Sequence, residues 1–161
     1  MLAFALLVAC AEPDPEETPF EGPGWDTEAG APLLEQDSYI LAITELHVIN
    51  APGPGRIFGE HADAIGTYLY TPANEVAGFV GGRFRNVGQL KWWTLTVWTD
   101  EASMMAFILD EPHVSAMADL STVSSDARST NLVIPAEDLP VDWAYALDEL
   151  ASVEWLVGDG E

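Results

Sequence analysis

Leu90-Lys91-Trp92-Trp93-Thr94-Leu95-Thr96-Val97-Trp98-Thr99 is the stretch that decides the fold. It is rich in β-branched and aromatic residues and holds no glycine or proline, so it reads as a strand. Two-residue alternation puts Trp92, Thr94, Thr96 and Trp98 on one face and Trp93, Leu95 and Val97 on the other. Aromatics on both faces suit burial on both sides. Upstream, Asn86-Val87-Gly88-Gln89 reads as a short turn and residues 76–87 as the partner strand of a hairpin. Within that partner, Gly81-Gly82 marks a bulge or a close approach of another backbone. Downstream, Thr99 or Asp100 caps a helix, with Asp100 and Glu101 where the helix dipole favours negative charge. Met104, Phe107 and Ile108, then Val114, Met117 and Ala118, give an apolar face. Pro112 predicts a break between Asp110 and His113.

Further out, residues 38–49 alternate as a strand, and residues 50–55 carry loop chemistry. Phe58, His61, Ala62, Ile65, Tyr68 and Leu69 recur at helical spacing until Pro72. Residues 130–135 read as a fourth strand. Trp143, Ala146, Leu147 and Leu150 mark a last helix, and Trp155-Leu156-Val157 a tail that packs back. The order β-α-β-β-α-β plus a C-terminal helix predicts an α+β, ferredoxin-like antiparallel sheet with helices on one face. The other face needs a cover. Two are open to it: a homodimer with sheets packed face to face, or a single-chain sandwich closed by the C-terminal tail.

The 161 residues carry 27 acidic and 5 basic side chains, a formal net charge of -22. That excludes ordinary nucleic-acid binding, which needs a basic stripe to displace counterions. Between Cys10 and Ser38 lie nine acidic residues, no basic one, and Pro13, Pro15, Pro19, Pro23 and Pro32. Such a segment, 10–37, reads as an extended, self-repelling tether; the alternative is that Phe20 and Trp25, its only aromatics, dock back on the domain. Residues 38–161 then form one domain, whose length suits a single core.

Residues 1–9, Met1-Leu2-Ala3-Phe4-Ala5-Leu6-Leu7-Val8-Ala9, are an apolar run ending at Cys10, the one cysteine of the chain. The run is too short to span a bilayer, which takes roughly 20 residues. It resembles a bacterial lipoprotein signal peptide with its lipobox, which implies lipidation of Cys10 and anchoring in the bacterial cell envelope. The other reading is an apolar N-terminus packed on the domain.

Trp93-Thr94-Leu95-Thr96-Val97-Trp98-Thr99-Asp100-Glu101-Ala102, continued by Phe107 and Pro112-His113-Val114-Ser115-Ala116-Met117, resembles the signature WTLSxWxDExxLxxFxxxxPHxxxM. That signature belongs to the antibiotic-biosynthesis-monooxygenase-like family of dimeric α/β barrels, and more narrowly to its DUF3291-type, spheroidene-monooxygenase-like branch. Glu137-Asp138-Leu139-Pro140-Val141-Asp142-Trp143 is similar to that branch's xELPxxW tail. Thr96 stands where the signature has Ser. The resemblance covers roughly residues 38–150 and implies a fold more firmly than a chemistry. Its relatives include cofactor-free oxygenases and haem-degrading enzymes. There a Trp at the end of this strand and a His on the next helix line the cleft between sheet and helices, which implies Trp98 and His113 as catalytic residues. Haem-degrading relatives place their ligand where this chain has Met117, so haem is disfavoured and no bound cofactor is expected.

His113 begins a helix, where the dipole disfavours imidazolium; a neutral ring there acts as a base, or packs at the kink against a carbonyl. Trp92 and Thr96 share the face of Trp98 and extend a wall for a flat ligand, or fill a core. Arg83, Arg85 and the nearby Lys91 could hold an anionic group, or pair with surface carboxylates. His47 and His61 read as structural, and no histidine falls at metal-ligand spacing. Asp100-Glu101 and the other adjacent acidic pairs read as caps and solvated faces. The expected protein is a membrane-tethered lipoprotein whose domain binds a small flat apolar molecule. It is an oxygenase if His113 deprotonates that molecule, and otherwise a non-catalytic envelope binding or assembly protein.

Overall fold

In the computed structural model, residues 14–160 are described, so the signal-like run, Cys10 and Glu161 lie outside the described residues. β4 (Ser38–Val48), β5 (Phe79–Val87), β6 (Lys91–Trp98) and β7 (Ser124–Pro135) form the body of one antiparallel sheet. A short edge strand, β1 (Glu16–Glu17), completes the order β1-β5-β6-β4-β7. The hairpin expected around Gly88 pairs Val87 with Lys91 and continues to Phe79 opposite Trp98. α1 (Pro52–Tyr70) connects β4 to β5. α2 (Glu101–Ile108), α3 (His113–Ala118) and α4 (Leu120–Val123) connect β6 to β7. The helix break at Pro112 is present. α1 starts earlier than its apolar spacing indicated, at Pro52, because proline tolerates the first helical turn, where its missing N–H has no partner to lose. β7 likewise begins at Ser124, well before residue 130, since its full length pairs with β4.

Asp100 caps α2: its carboxylate accepts from the Ser103 backbone N–H at 2.8 Å, the Ser103 hydroxyl at 2.9 Å and the Thr99 hydroxyl at 2.8 Å. These donors, the Ser103 N–H foremost, hold its carboxyl below the ordinary range.

The two faces of the sheet are covered differently. On one, α1 and α2 enclose a small core of Leu69, Phe79, Trp98 and Met104. The other face carries the larger core. There Tyr39, Leu41, Ile43, Trp93, Leu95 and Val97 pack against Trp143, Ala146 and Leu150 of α5 (Trp143–Ala151) and against Phe20 and Trp25.

The tether expected over 10–37 is therefore corrected from residue 14 onward. Glu17 pairs with Arg85 across β1 and β5, and Phe20 and Trp25 are buried edge to face at 4.5 Å between centroids. A small hairpin of β2 (Trp25–Asp26) and β3 (Ala31–Pro32) follows. Composition pointed to solvation, but two large aromatics supply enough apolar area to hold the segment down. Glycine permits the approach. A Cβ on Gly22 would lie 2.2 Å from the Gly81 Cα, and one on Gly81 would lie 2.6 Å from the Glu21 carbonyl oxygen. The Gly81-Gly82 pair is both a register shift and the crossing point of the N-terminal segment.

Within one chain this face is covered mainly by residues 20–25 and α5. The C-terminal tail adds a cover at one end, where Trp155 lies over Arg128 and Val157 bridges to Ala127.

Candidate functional site

On the helix-covered face, α1 runs back along the sheet from Phe58, which meets Trp92 at 5.3 Å, to Leu69, which meets the Trp98 core. Between α1 and the sheet near Trp92 lies a cleft of about 570 Å³. Its floor is Trp92 and Leu90; its roof is Phe58, Gly55, Gly59 and Ala62. The roof exists because small residues recur along one side of α1. A Cβ on Gly55 or Gly59 would meet nothing within 4 Å. Trp92 is fixed by its Nε1–H donating to the Gln89 carbonyl at 3.0 Å and by Phe84 at 5.7 Å. Asp63 is the one ionised side chain of the lining; Asn50 and Gln89 add polar groups.

One side-chain step along the strand the sheet stays open. Phe84, Thr94, Thr44 and Ser129 stand in one row across four strands. Phe84, Thr94 and Ser129 are exposed, and the Thr44 and Ser129 hydroxyls bond at 3.0 Å. The open face therefore offers an aromatic end and a hydroxyl-bearing middle.

The structure distributes the residues expected to form one site. Trp92 lines the cleft. Thr96 lies on the same face, and its hydroxyl accepts the Trp98 indole N–H at 3.1 Å. Trp98 is 1% exposed, stacked on Phe107 at 5.1 Å and tilted against Phe79 at 5.1 Å. It is core, not a pocket wall. His113 packs edge-on against Phe107 at 5.0 Å, so it is linked to Trp98 through one ring and lies outside the cleft lining. Its Nδ1–H donates to the Ile108 carbonyl at 3.2 Å, and burial pushes its pKa below the ordinary value. At neutral pH the ring is neutral, with an Nε2 lone pair. Met117 is 46% exposed.

Arg83 and Arg85 are a correction. Arg85 stands opposite Trp93, so both arginines project from the face away from Trp92, Thr96 and Trp98. They stack over Trp143 and Trp93 at 5.1 and 5.7 Å and cannot share a ligand with the cleft.

The other two histidines are tied to carboxylates. His61 Nε2 lies 3.0 Å from an Asp119 oxygen. His47 sits between Glu45, at 2.9 Å, and Asp126, at 3.4 Å, while Arg128 grips Glu45 at 2.6 Å. Trp155 covers this network at 4.3 Å from Arg128, and Asp126 Oδ1 accepts the Asp159 and Gly160 N–H groups at 3.0 and 2.8 Å. Among the described residues no group of three acidic, histidine or cysteine side chains is placed to hold a metal ion.

The Gly160 N–H foremost, then the Ser125 hydroxyl, the Asp159 N–H and His47, hold the Asp126 carboxyl below its ordinary 3.8 against the opposing effect of burial. A lowered folded pKa means this stabilisation is complete above 3.8 and is lost as pH falls through the folded value. Protection of the Val157 amide against hydrogen exchange should therefore fall in acid below that point. Asp126→Ala should lower that protection above that point and abolish the acid step. Equal protection in both proteins at all pH would remove Asp126 as the anchor of the tail.

Sequence reading missed Phe58, Gly55, Gly59, Asp63, Gln89 and Leu90 as lining. The available signal was Gly55, Gly59, Ala62 and Gly66, spaced by four, three and four, which places small residues on one side of a helix.

No protein-family model and no curated protein matches the chain. Solved structures are similar at a distance. A candidate monooxygenase from Lactobacillus acidophilus NCFM matches with a TM-score of 0.50 at 9% identity. The match covers 63% of this chain and 46% of that one, so the chain spans about half its length. A protein of unknown function from Nitrosomonas europaea matches at 0.49 and 17% identity, over 67% of this chain and 100% of that one. SnoaB, a cofactor-independent oxygenase from Streptomyces nogalater, matches at 0.43 and 14%, over 66% and 100%. The sheet order and the first of these likenesses show the ferredoxin-like α+β arrangement, and at 9% identity the fold is all that the likeness shows.

Proposed function

We propose that this domain binds a small, flat, apolar molecule in the cleft between α1 and Trp92. The observation that carries the reading is the cleft itself. Its volume of about 570 Å³ suits a ligand of a few fused rings, and its aromatic floor meets a roof left open by glycine. A net charge of -22, with Asp63 on the lining, disfavours anions, so the ligand is neutral or cationic.

The lipobox-like run supports an envelope location with lipid on Cys10. In that arrangement the anchor is short. Six residue-to-residue steps lead from Cys10 to Glu16 on the sheet edge, a reach of about 20 Å. The domain then sits against the membrane surface, where apolar ligands partition. Among the described residues no helix is long and apolar enough to cross a membrane.

A second reading, cofactor-free oxygenation, rests on the neutral His113 and on the motif shared with the monooxygenase-like family and its narrower DUF3291-type branch. His113 lies outside the cleft lining, so binding is the better-supported reading. In that second reading His113→Ala abolishes oxygen uptake with an electron-rich phenol while leaving binding unchanged.

Ala62→Trp tests the cleft, because Ala62 is an exposed helix position and the new ring would fill the space below it. A neutral planar dye such as Nile red should bind saturably to the parent protein. The variant should bind about tenfold or more weakly, with an unchanged melting curve. Equal dye binding by both proteins, or none by the parent, would overturn the reading.

A further inference from the structure

Four buried side-chain nitrogens in the described residues have no hydrogen-bond partner: Arg83 Nε, Arg85 Nε, Trp93 Nε1 and Trp143 Nε1. All four are N–H donors, and none is an acceptor. They belong to one patch on the sheet face turned away from the cleft. Arg83 and Arg85 alternate along β5, Trp93 is the cross-strand neighbour of Arg85, and Trp143 lies under the Arg83 guanidinium. The stacking leaves the donors unsatisfied for a geometric reason. A guanidinium lying over an indole uses its face, so the in-plane N–H groups of both still need acceptors. An unmatched buried donor is destabilising, so four in one patch make a strong demand for an acceptor.

The neighbourhood supplies part of it. Glu17 on β1 accepts from Arg85 Nη1 at 3.1 Å, and Arg83 Nη2 donates to the Val141 carbonyl. Asp142, next in the chain, is spent on the α5 cap, where it accepts from the Tyr145 N–H at 2.8 Å. Phe20 and Trp25 lie over Trp93, but at the Arg85 end the cover is slight: β1 has two residues, both exposed, and the Arg85 side chain keeps 22% of its surface.

We propose that the Arg83–Arg85–Trp93–Trp143 patch is a second binding site, for a small carboxylate. A carboxylate is planar, accepts at both oxygens and carries the charge that two guanidiniums favour. Glu17 is its internal competitor, a carboxylate of the chain already resting on Arg85. Because the patch and the cleft are on opposite faces, either site can fail without the other.

Benzoate is a suitable probe, followed through the indole and guanidine N–H resonances of the full chain. Saturable shifts are expected at Trp93 Nε1, Trp143 Nε1 and the two arginine Nε groups. Arg83→Gln should weaken binding about tenfold or more, and Glu17→Gln, which removes the competitor, should tighten it. Glu17 is exposed at the sheet edge, so Glu17→Gln should keep the parent melting curve. If Arg83→Gln unfolds, the direction of the Glu17→Gln effect decides by itself. Shifts that do not saturate, a Glu17→Gln variant that binds no tighter, or indole N–H groups that contact only ordered water would overturn the proposal.

Discussion

Trp98→Ala should lower the stability of the domain by about 3–5 kcal/mol, the cost typical of emptying a buried aromatic site. That is a large part of the roughly 5–15 kcal/mol available to a domain of this kind. Trp98 is 1% exposed and touches both Phe79 and Phe107, so its removal opens a cavity between β6 and α2. It also strips the Thr96 hydroxyl of its indole donor. Urea denaturation reads the effect as a large drop in the midpoint. The sequence resemblance implied a different result: a catalytic Trp98 on a pocket wall would lose activity and keep its midpoint. A change under about 1 kcal/mol would therefore restore the pocket-wall role.

The second large effect is at the N-terminus. A chain beginning at Ser38 should not fold as a monomer. It would lack Phe20 and Trp25, and with them the cover over Val80 and Trp93. Burial of an aromatic side chain contributes about 1.5–3 kcal/mol. The two rings touch, so their losses couple rather than add. With that surface uncovered, the shortened chain should self-associate or lose its near-ultraviolet aromatic signal. Sedimentation and circular dichroism of the two lengths decide this. A shortened chain that stays monomeric, with the melting point of the longer one, would show that residues 14–37 are dispensable.

The elements that local chemistry controls were legible in the sequence. The strand from Lys91 to Trp98, the Asp100 cap, the break at Pro112 and the glycine pair at 81–82 each carry their own signal. What long-range pairing controls was not. Residues 14–37 look solvated because eight acids and four prolines dominate their composition, and two anchoring rings are a weak signal against them. Arg83 and Arg85 sit close in sequence to the tryptophans, but their face follows from hairpin register. Pairing Val87 with Lys91 puts odd residues opposite odd ones and sends both arginines away from Trp92. The same register assigns Trp93 to the sealed face and Trp92 to the open one. The cleft was the hardest part to read, because its roof is defined by what α1 lacks. Glycines that would be a weakness in an isolated helix are here the room above Trp92.

Photo-crosslinking with a neutral planar aromatic that carries a diazirine tests the central claim most directly. After irradiation and digestion, the label should fall on residues 48–63 and 89–92, the two segments that line the cleft. Unlabelled aromatic should compete it away. Label concentrated instead on the exposed apolar side chains of the other helices, Leu109, Val114 and Met117, or spread over the chain without competition, would contradict a ligand site beside Trp92.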